Sequence, residues 1–178
     1  MFKISKRKVT KAEAELLVRQ IKLTPNIMGY SLTEWMSAEY IIVAEDENGK
    51  MVGACLNYDF HANWHKIAAL FVMEEYRGMG LGKMLFYESY QDAIIRGKKI
   101  YTMSINEIVI KMMQDLDFLT FNSLLQMPRI TNGDKLIFYF HSLLWLMNFY
   151  RIKEIIRKTI VYNHHKTFVY GIKYCSSK

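Results

Sequence analysis

The segment from Leu70 to Leu85 constrains this chain more than any other. An apolar stretch closes with Leu70, Phe71 and Val72, Arg77 follows, and glycines stand at 78, 80 and 82. A helical run begins at once, with Leu81, Met84, Leu85, Ser89 and Ala93 on one face and Gly97 as its stop. Glycines let the backbone come close to a ligand, and the first amides of a helix point outward without partners. Together with the positive end of the helix dipole they make an anion site suited to pyrophosphate.

Two familiar phosphate-binding signatures fail here. A dinucleotide fingerprint begun at Gly78 requires glycine where Lys83 stands. A P-loop ending in Gly82 and Lys83 requires glycine at Arg77 and Ser or Thr at Met84.

The surrounding pattern alternates strands and helices. Thr10 and Glu13 form a capping box that opens a helix over Lys11–Lys22, with Ala14, Leu17, Val18 and Ile21 on one stripe. A second helix is expected over Leu32–Glu39. Tyr40–Glu45 and Lys50–Tyr58 read as a hairpin around the Asn48-Gly49 turn. Lys66–Met73 is a strand apolar along its length, as expected when both faces are covered. Ile100–Ser104 and Phe118–Leu125 read as strands, Glu107–Leu116 as a helix, and Phe2–Ser5 and Thr167–Tyr174 as the first and last strands. The fold class is mixed α/β, in one domain over 1–178.

Arg77-Gly78-Met79-Gly80-Leu81-Gly82 resembles the acyl-CoA signature of the GNAT N-acetyltransferases, (Gln/Arg)-x-x-Gly-x-(Gly/Ala), with Tyr76 a common companion. Asn106–Phe118 follows a second motif, Asn-x-x-Ala-x-x-Leu-Tyr-x-x-x-Gly-Phe, with Asn106 and Phe118 in register. The resemblance covers about residues 1–125 and the last strand. It implies a central, mostly antiparallel sheet splayed between the 66–73 and 100–104 strands to receive acetyl-CoA. Leu70, Phe71 and Val72 would pair with pantetheine, and Arg77, Gly78, Met79, Gly80, Leu81, Gly82 and Lys83 would cradle the pyrophosphate. The activity implied is transfer of acetyl to the amine of a small molecule or peptide by direct attack on the thioester.

The second motif departs from the family at two places. The usual Tyr, often the acid beside the sulfur, is Met113, and the Gly before Phe118 is Asp117. Tyr101 or Ser104 could substitute as the acid, or the thiolate leaves through water. Asn106 could bond pantetheine or cap its helix. Met113 retains a place among the expected cofactor contacts. For the base, Asp59, His61 and His65 cluster where one strand ends and the next begins, and a histidine there titrates near neutral pH. Two alternatives stay open: a CoA-binding domain with weak or no catalysis, and a nucleic-acid-binding module using the basic clusters at Lys3–Lys11 and Arg151–Lys158.

Composition narrows the classes. With 24 Lys plus Arg against 17 Asp plus Glu, the net charge is +7, which suits an anionic partner. No nucleic-acid motif accompanies the charges, so none is expected as partner. Cys55 and Cys175 are too few for a disulfide framework, which points to free thiols and a cytoplasmic setting. No metal is expected, since His164 and His165 lack companions at ligand spacing. The two prolines, Pro25 and Pro128, leave no linker.

Residues 126–166 read as a helical insertion where the family has only a hairpin connection. Leu136–Tyr150 is the longest apolar run. As a helix it would span about 22 Å, too short for a bilayer core of about 30 Å. Ile152, Ile155, Ile156 and Ile160 follow helical spacing against a basic face. Internal packing, a homodimer through 136–160 and a lipid surface are the readings left open for it.

Overall fold

The computed structural model describes residues 1–27, 29–61, 63–128, 132–162 and 167–174. The strands are β1 (Lys3–Lys6), β2 (Tyr40–Glu45), β3 (Met51–Phe60), β4 (Trp64–Val72), β5 (Lys99–Ser104), β6 (Leu119–Phe121) and β7 (Val169–Lys173). The helices are α1 (Lys11–Lys22), α2 (Leu32–Ser37), α3 (Leu81–Ile95), α4 (Glu107–Asp115), α5 (Asn132–Leu146) and α6 (Phe149–Tyr162). The His164-His165 pair and Cys175 lie outside the described residues. Cys55 is a free, buried thiol.

Local chemistry sets the boundaries. Thr10 and Glu13 form the expected reciprocal cap on α1, and Ser31 with Glu34 repeats it on α2. Asp46 Oδ1 accepts from the amides of Asn48 and Lys50, while Gly49 takes φ 76°, which closes the β2–β3 turn. The expected strand at 118–125 is shorter than its pattern. Asp117 takes φ 53° before it, and Leu124–Gln126 winds into a 3-10 turn capped by Ser123.

The strands form one seven-stranded sheet in the order β1-β2-β3-β4-β5-β7-β6. Every pairing is antiparallel except β4 with β5. That parallel pair is short. It runs from Trp64–Lys99 to Ile67–Thr102 and then stops, although β4 continues to Val72 against β3. The β3–β4 register slips at the same point, so that Ala68 bulges between Ile67 and Ala69. Thr102 donates its hydroxyl to the Ile67 carbonyl at 3.0 Å, pinning the last joined pair. Beyond it the two strands form an open V.

Two layers cover the sheet. On one face Ala14, Leu17 and Ile21 of α1 and Trp35 of α2 bury against Ile41, Val43, Leu56, Ala69 and Phe71. On the other, Leu81, Leu85, Phe86 and Ala93 of α3 pack with Ile42, Val52, Ile67 and Ile100, and Met112 and Met113 of α4 join them. Each such large side chain contributes about 1.5–3 kcal/mol relative to exposure. Met84, expected on the buried stripe of α3, is instead 45% exposed.

The insertion helices lie over the first face. Phe138 of α5 is fully buried, edge-on to Trp64, Tyr101 and Phe60 at ring distances of 4.5, 5.0 and 5.7 Å. The isoleucine stripe of α6 is a correction. Ile152, Ile156 and Ile160 face outward, and Arg151, Glu154 and Lys158 are the buried residues. The cause is the surface beneath. Helix α1 and the loop after it turn backbone carbonyls toward α6, and Lys158 donates to those of Ile21 at 2.9 Å and Thr24 at 2.6 Å. Arg157 reaches Lys22 O at 2.8 Å, and Tyr162 reaches Leu23 O at 2.8 Å. A polar platform selects the polar face of the helix.

Candidate active site

The glycine loop joins the end of β4 to α3. Gly78 and Gly80 take φ of 79° and 80°, a left-handed backbone costly to other residues. Gly80 is the N-cap of α3 and offers it no side-chain acceptor. Among the described residues the amides of Leu81, Gly82 and Lys83 have no partner, and the first capping bond runs from Met84 to the Gly80 carbonyl at 3.1 Å. A Cβ built on Gly78 or Gly80 meets nothing within 4 Å, and one on Gly82 meets only Val72 at 3.9 Å. The loop is therefore an open cradle of unpaired amides at a helix N-terminus, and it fits a polyphosphate. Arg77 bonds the Val72 carbonyl at 3.3 Å, which holds the loop to the strand end. Lys83 is exposed, with its ammonium 5.3 Å from the Tyr87 ring.

Leu70, Phe71 and Val72 form the β4 side of the V, past the last β5 pair. Asn106 caps α4, its Oδ1 accepting from Ile108 N at 2.9 Å. Met113 is fully buried, packed so closely on β7 that a Cβ at Gly171 would lie 2.6 Å from its sulfur. Its placement is that of a core side chain. Ser104 accepts from the Asn106 amide at 3.0 Å. The buried Tyr101 hydroxyl lies 3.6 Å from Met103 Sδ, and its pKa is driven up by burial.

Asp59 and His65 come together across the β3–β4 pair, with Nδ1 2.7 Å from the carboxylate. Arg96 Nη2 also lies 2.8 Å from Nδ1, and Nε2 is buried without a partner among the described residues. Arg96 bonds both Asp59 oxygens at 3.1 and 2.8 Å, and Lys98 adds a contact at 3.3 Å. Burial lowers the His65 pKa against the opposing pull of Asp59. The Asp59 pKa is also lowered: burial works against this, and the bonds from His65 and Arg96 prevail. His61 is exposed on the turn at φ 53° and does not join them. The structure thus unites two of the three proposed acid–base residues, in a cluster that ties the end of α3 to the sheet.

A chamber of about 560 Å³ opens on the other side of the sheet, between α2, β3 and the insertion. Tyr30, Glu34, Tyr58, His141, Trp145 and Arg151 line its inner part, with Asp59 at one wall. Arg151 bonds Glu34 and the Trp145 carbonyl, and its guanidinium lies 4.7 Å from the Tyr30 ring. A smaller cavity of about 90 Å³ shares His141 and Trp145 and reaches Lys66 and Tyr101. Sequence reasoning missed all of these chamber groups except Asp59 and Arg151. The one usable signal was Lys66, a lone cation in an apolar strand.

The basic clusters are largely engaged. Arg7 pairs with Glu13 and Glu45, Lys6 with Asp92, and Arg157 with Glu154, while Arg151 and Lys158 are buried. Burial pushes the Cys55 thiol up to about 12, so it is no thiolate nucleophile. Among the described residues no group of His, Cys, Asp and Glu is placed to hold a metal ion, and no helix is long and apolar enough to cross a membrane.

The profile of the Acetyltransferase (GNAT) family matches residues 14–118, which include the loop, the V and α4. The chain belongs to the GNAT acetyltransferase family. No curated protein sequence matches it. Solved GNAT structures share its architecture at low identity. The ribosomal-protein-S18-alanine N-acetyltransferase of Escherichia coli is 14% identical with a TM-score of 0.61, covering 100% of this chain and 96% of that one. A Mycobacterium tuberculosis protein solved with CoA and NLQ is 12% identical with a TM-score of 0.64, covering 93% and 97%. N-acetylglutamate synthase of Neisseria gonorrhoeae, complexed with coenzyme A and N-acetyl-glutamate, is 14% identical with a TM-score of 0.58. That match covers 96% of this GNAT chain but 35% of the synthase, so the chain spans about a third of that relative. At these identities the likeness speaks to the fold.

Proposed function

We propose that this GNAT protein is an acetyl-CoA-dependent N-acetyltransferase in which the loop at 77–83 holds the pyrophosphate and the V between β4 and β5 holds the pantetheine arm. The observation that carries this reading is the open cradle of unpaired amides at Leu81, Gly82 and Lys83, directly beyond the separated strands. Acetyl-CoA, when bound, supplies an activated acyl group. The acceptor is an amine of a small molecule or peptide, and it enters from the chamber that the insertion roofs. Its nitrogen forms the amide as the thioester C–S bond breaks, the nitrogen loses one proton and the sulfur gains one. Residues 1–178 act as one domain with 126–166 as its insertion.

The residues divide by role. Asp59, held ionised by Arg96 and His65, is a weak base, and His65 points its free nitrogen into a buried position outside the chamber lining. In this reading they position the α3 terminus, His61 stays in solvent, and the acceptor proton leaves to chamber water. In this reading the β4 amides beyond the last β5 pair at Ile67 polarise the thioester carbonyl. A CoA-binding domain without turnover is the second reading, favoured by the apolar Met113. Release of CoA thiol across an acceptor-amine library tests both. Turnover with any amine supports the transferase, and saturable acetyl-CoA binding with no turnover favours the second.

A further inference from the structure

Lys66 is the most anomalous charge in the molecule. It is 2% exposed and has no hydrogen-bond or ion-pair partner among the described residues. Aromatic rings surround it instead, with centroids at 4.8 Å for Trp145, 5.3 Å for Tyr101 and 5.7 Å for Tyr58. Ring faces attract a cation, but they replace neither a counter-ion nor hydrogen bonds.

Arg151 approaches the same indole, its guanidinium carbon 4.4 Å from the Trp145 centroid. Its terminal nitrogens bond the Trp145 carbonyl and Glu34, which leaves Nε buried with no acceptor. His141 Nε2, between the two cavities, is also unpartnered and buried. Glu34 pairs with Arg151, and among the described residues no carboxylate pairs with Lys66. Burial and the Arg151 charge push the lysine down to about 7.

The location gives this charge a purpose. Lys66 pairs with Tyr101 one step before the strands part, and the bulge at Ala68 follows two residues on. An anion held there lies beside the mouth of the V and opens onto the chamber through His141 and Trp145. We propose that Lys66, with His141 beside it in the same small cavity, forms an anion subsite that takes a carboxylate of the acceptor, so the acceptor is an amino acid, with amine and carboxylate a few bonds apart. A carboxylate supplies the acceptor that Lys66 Nζ lacks and a partner for His141 Nε2. The carboxylate occupies the cavity of about 90 Å³, and the chamber takes the acceptor's side chain. This inference rests on the acetyltransferase reading and names the substrate class of that site.

The test measures CoA-thiol release with acetyl-CoA and matched acceptors: L-amino acids, their carboxamides and the corresponding decarboxylated amines. The wild-type chain should use carboxylates with kcat/KM about tenfold or more above the amides, as loss of a charge-assisted bond implies. Lys66→Met should collapse that ratio by about tenfold or more, and Lys66→Arg should restore part of it. Equal use of carboxylate and amide by the wild type, or an unchanged ratio in folded Lys66→Met, overturns the subsite. If Lys66→Met does not fold, the wild-type ratio decides. If no acceptor turns over, melting shifts with N-acetyl-L-amino acids and their carboxamides, in the presence of CoA, decide instead. Shifts confined to the carboxylates support the subsite, and their absence overturns it. A chain that binds no acetyl-CoA fails the parent reading, whereas one that acetylates amines without regard to carboxylate fails only this one.

Discussion

Asp134, in the first turn of α5, accepts a hydrogen bond from the Trp64 indole at 3.1 Å. This bond ties the insertion to the strand that opens the V, and Lys99 pairs with the same carboxylate at 3.1 Å. Trp64 is fully buried, so removing the acceptor strands its N–H. Asp134→Ala should therefore cost about 1–3 kcal/mol. Urea unfolding with an unchanged slope and a lower midpoint is the expected result.

The buried lysines give stability a defined pH dependence. Lys66 is pushed down to about 7 and Lys158 to about 8, chiefly by burial. The ordinary value is near 10.5, so over the interval between, the unfolded chain binds more protons than the folded one. Stability should rise as pH rises through about 7 to 9.5. Burial also lowers His65 and takes His141 down to about 3, so stability should fall as pH drops below about 6.5. Urea midpoints measured across this range check the curve. Lys66→Met should flatten its upper limb, and an equally steep variant would contradict the assignment.

Helix α6 is built with its polar side inward, which reverses the usual effect of substitution. Ile156→Ser and Ile160→Ser, at positions 55% and 76% exposed, should change stability by about 0.5 kcal/mol or less. Lys158→Ala removes the donor to the Ile21 and Thr24 carbonyls and should cost about 1–3 kcal/mol. Comparative thermal melts of the three variants give the order directly.

Cys55 should be unreactive in the native state, since it is fully buried and its thiol is pushed up to about 12. In a Cys175→Ser background, a thiol reagent should label the chain only after denaturant is added.

Much of the frame was legible because local rules decide it. The Thr10–Glu13 box, the Asn48-Gly49 turn and the glycine loop each depend on residues within a few positions of one another. The helix Lys11–Lys22 and the strand Tyr40–Glu45 accordingly fall where their patterns place them. The chamber was not legible, because its walls come from α2, β2, β3 and the insertion, and no spacing rule joins Glu34 to Arg151. Periodicity located a stripe on α6 but not its direction. That depended on the polar carbonyls at the end of α1, which no apolar pattern records. The sequence pattern ended its strands at Tyr58 and Lys66, whereas β3 and β4 run on to pair Asp59 with His65, and Arg96 joins them from another element.

The central claim is that the 77–83 loop holds the pyrophosphate of acetyl-CoA, and Gly82 tests it most directly. A side chain there meets only Val72, at 3.9 Å, so the fold accommodates Gly82→Val while the ligand face is obstructed. Calorimetric titration of acetyl-CoA should give saturable binding in the wild-type chain and an affinity at least about tenfold weaker in folded Gly82→Val, the equivalent of about 1.4 kcal/mol. Equal affinity in the two proteins would contradict the assignment.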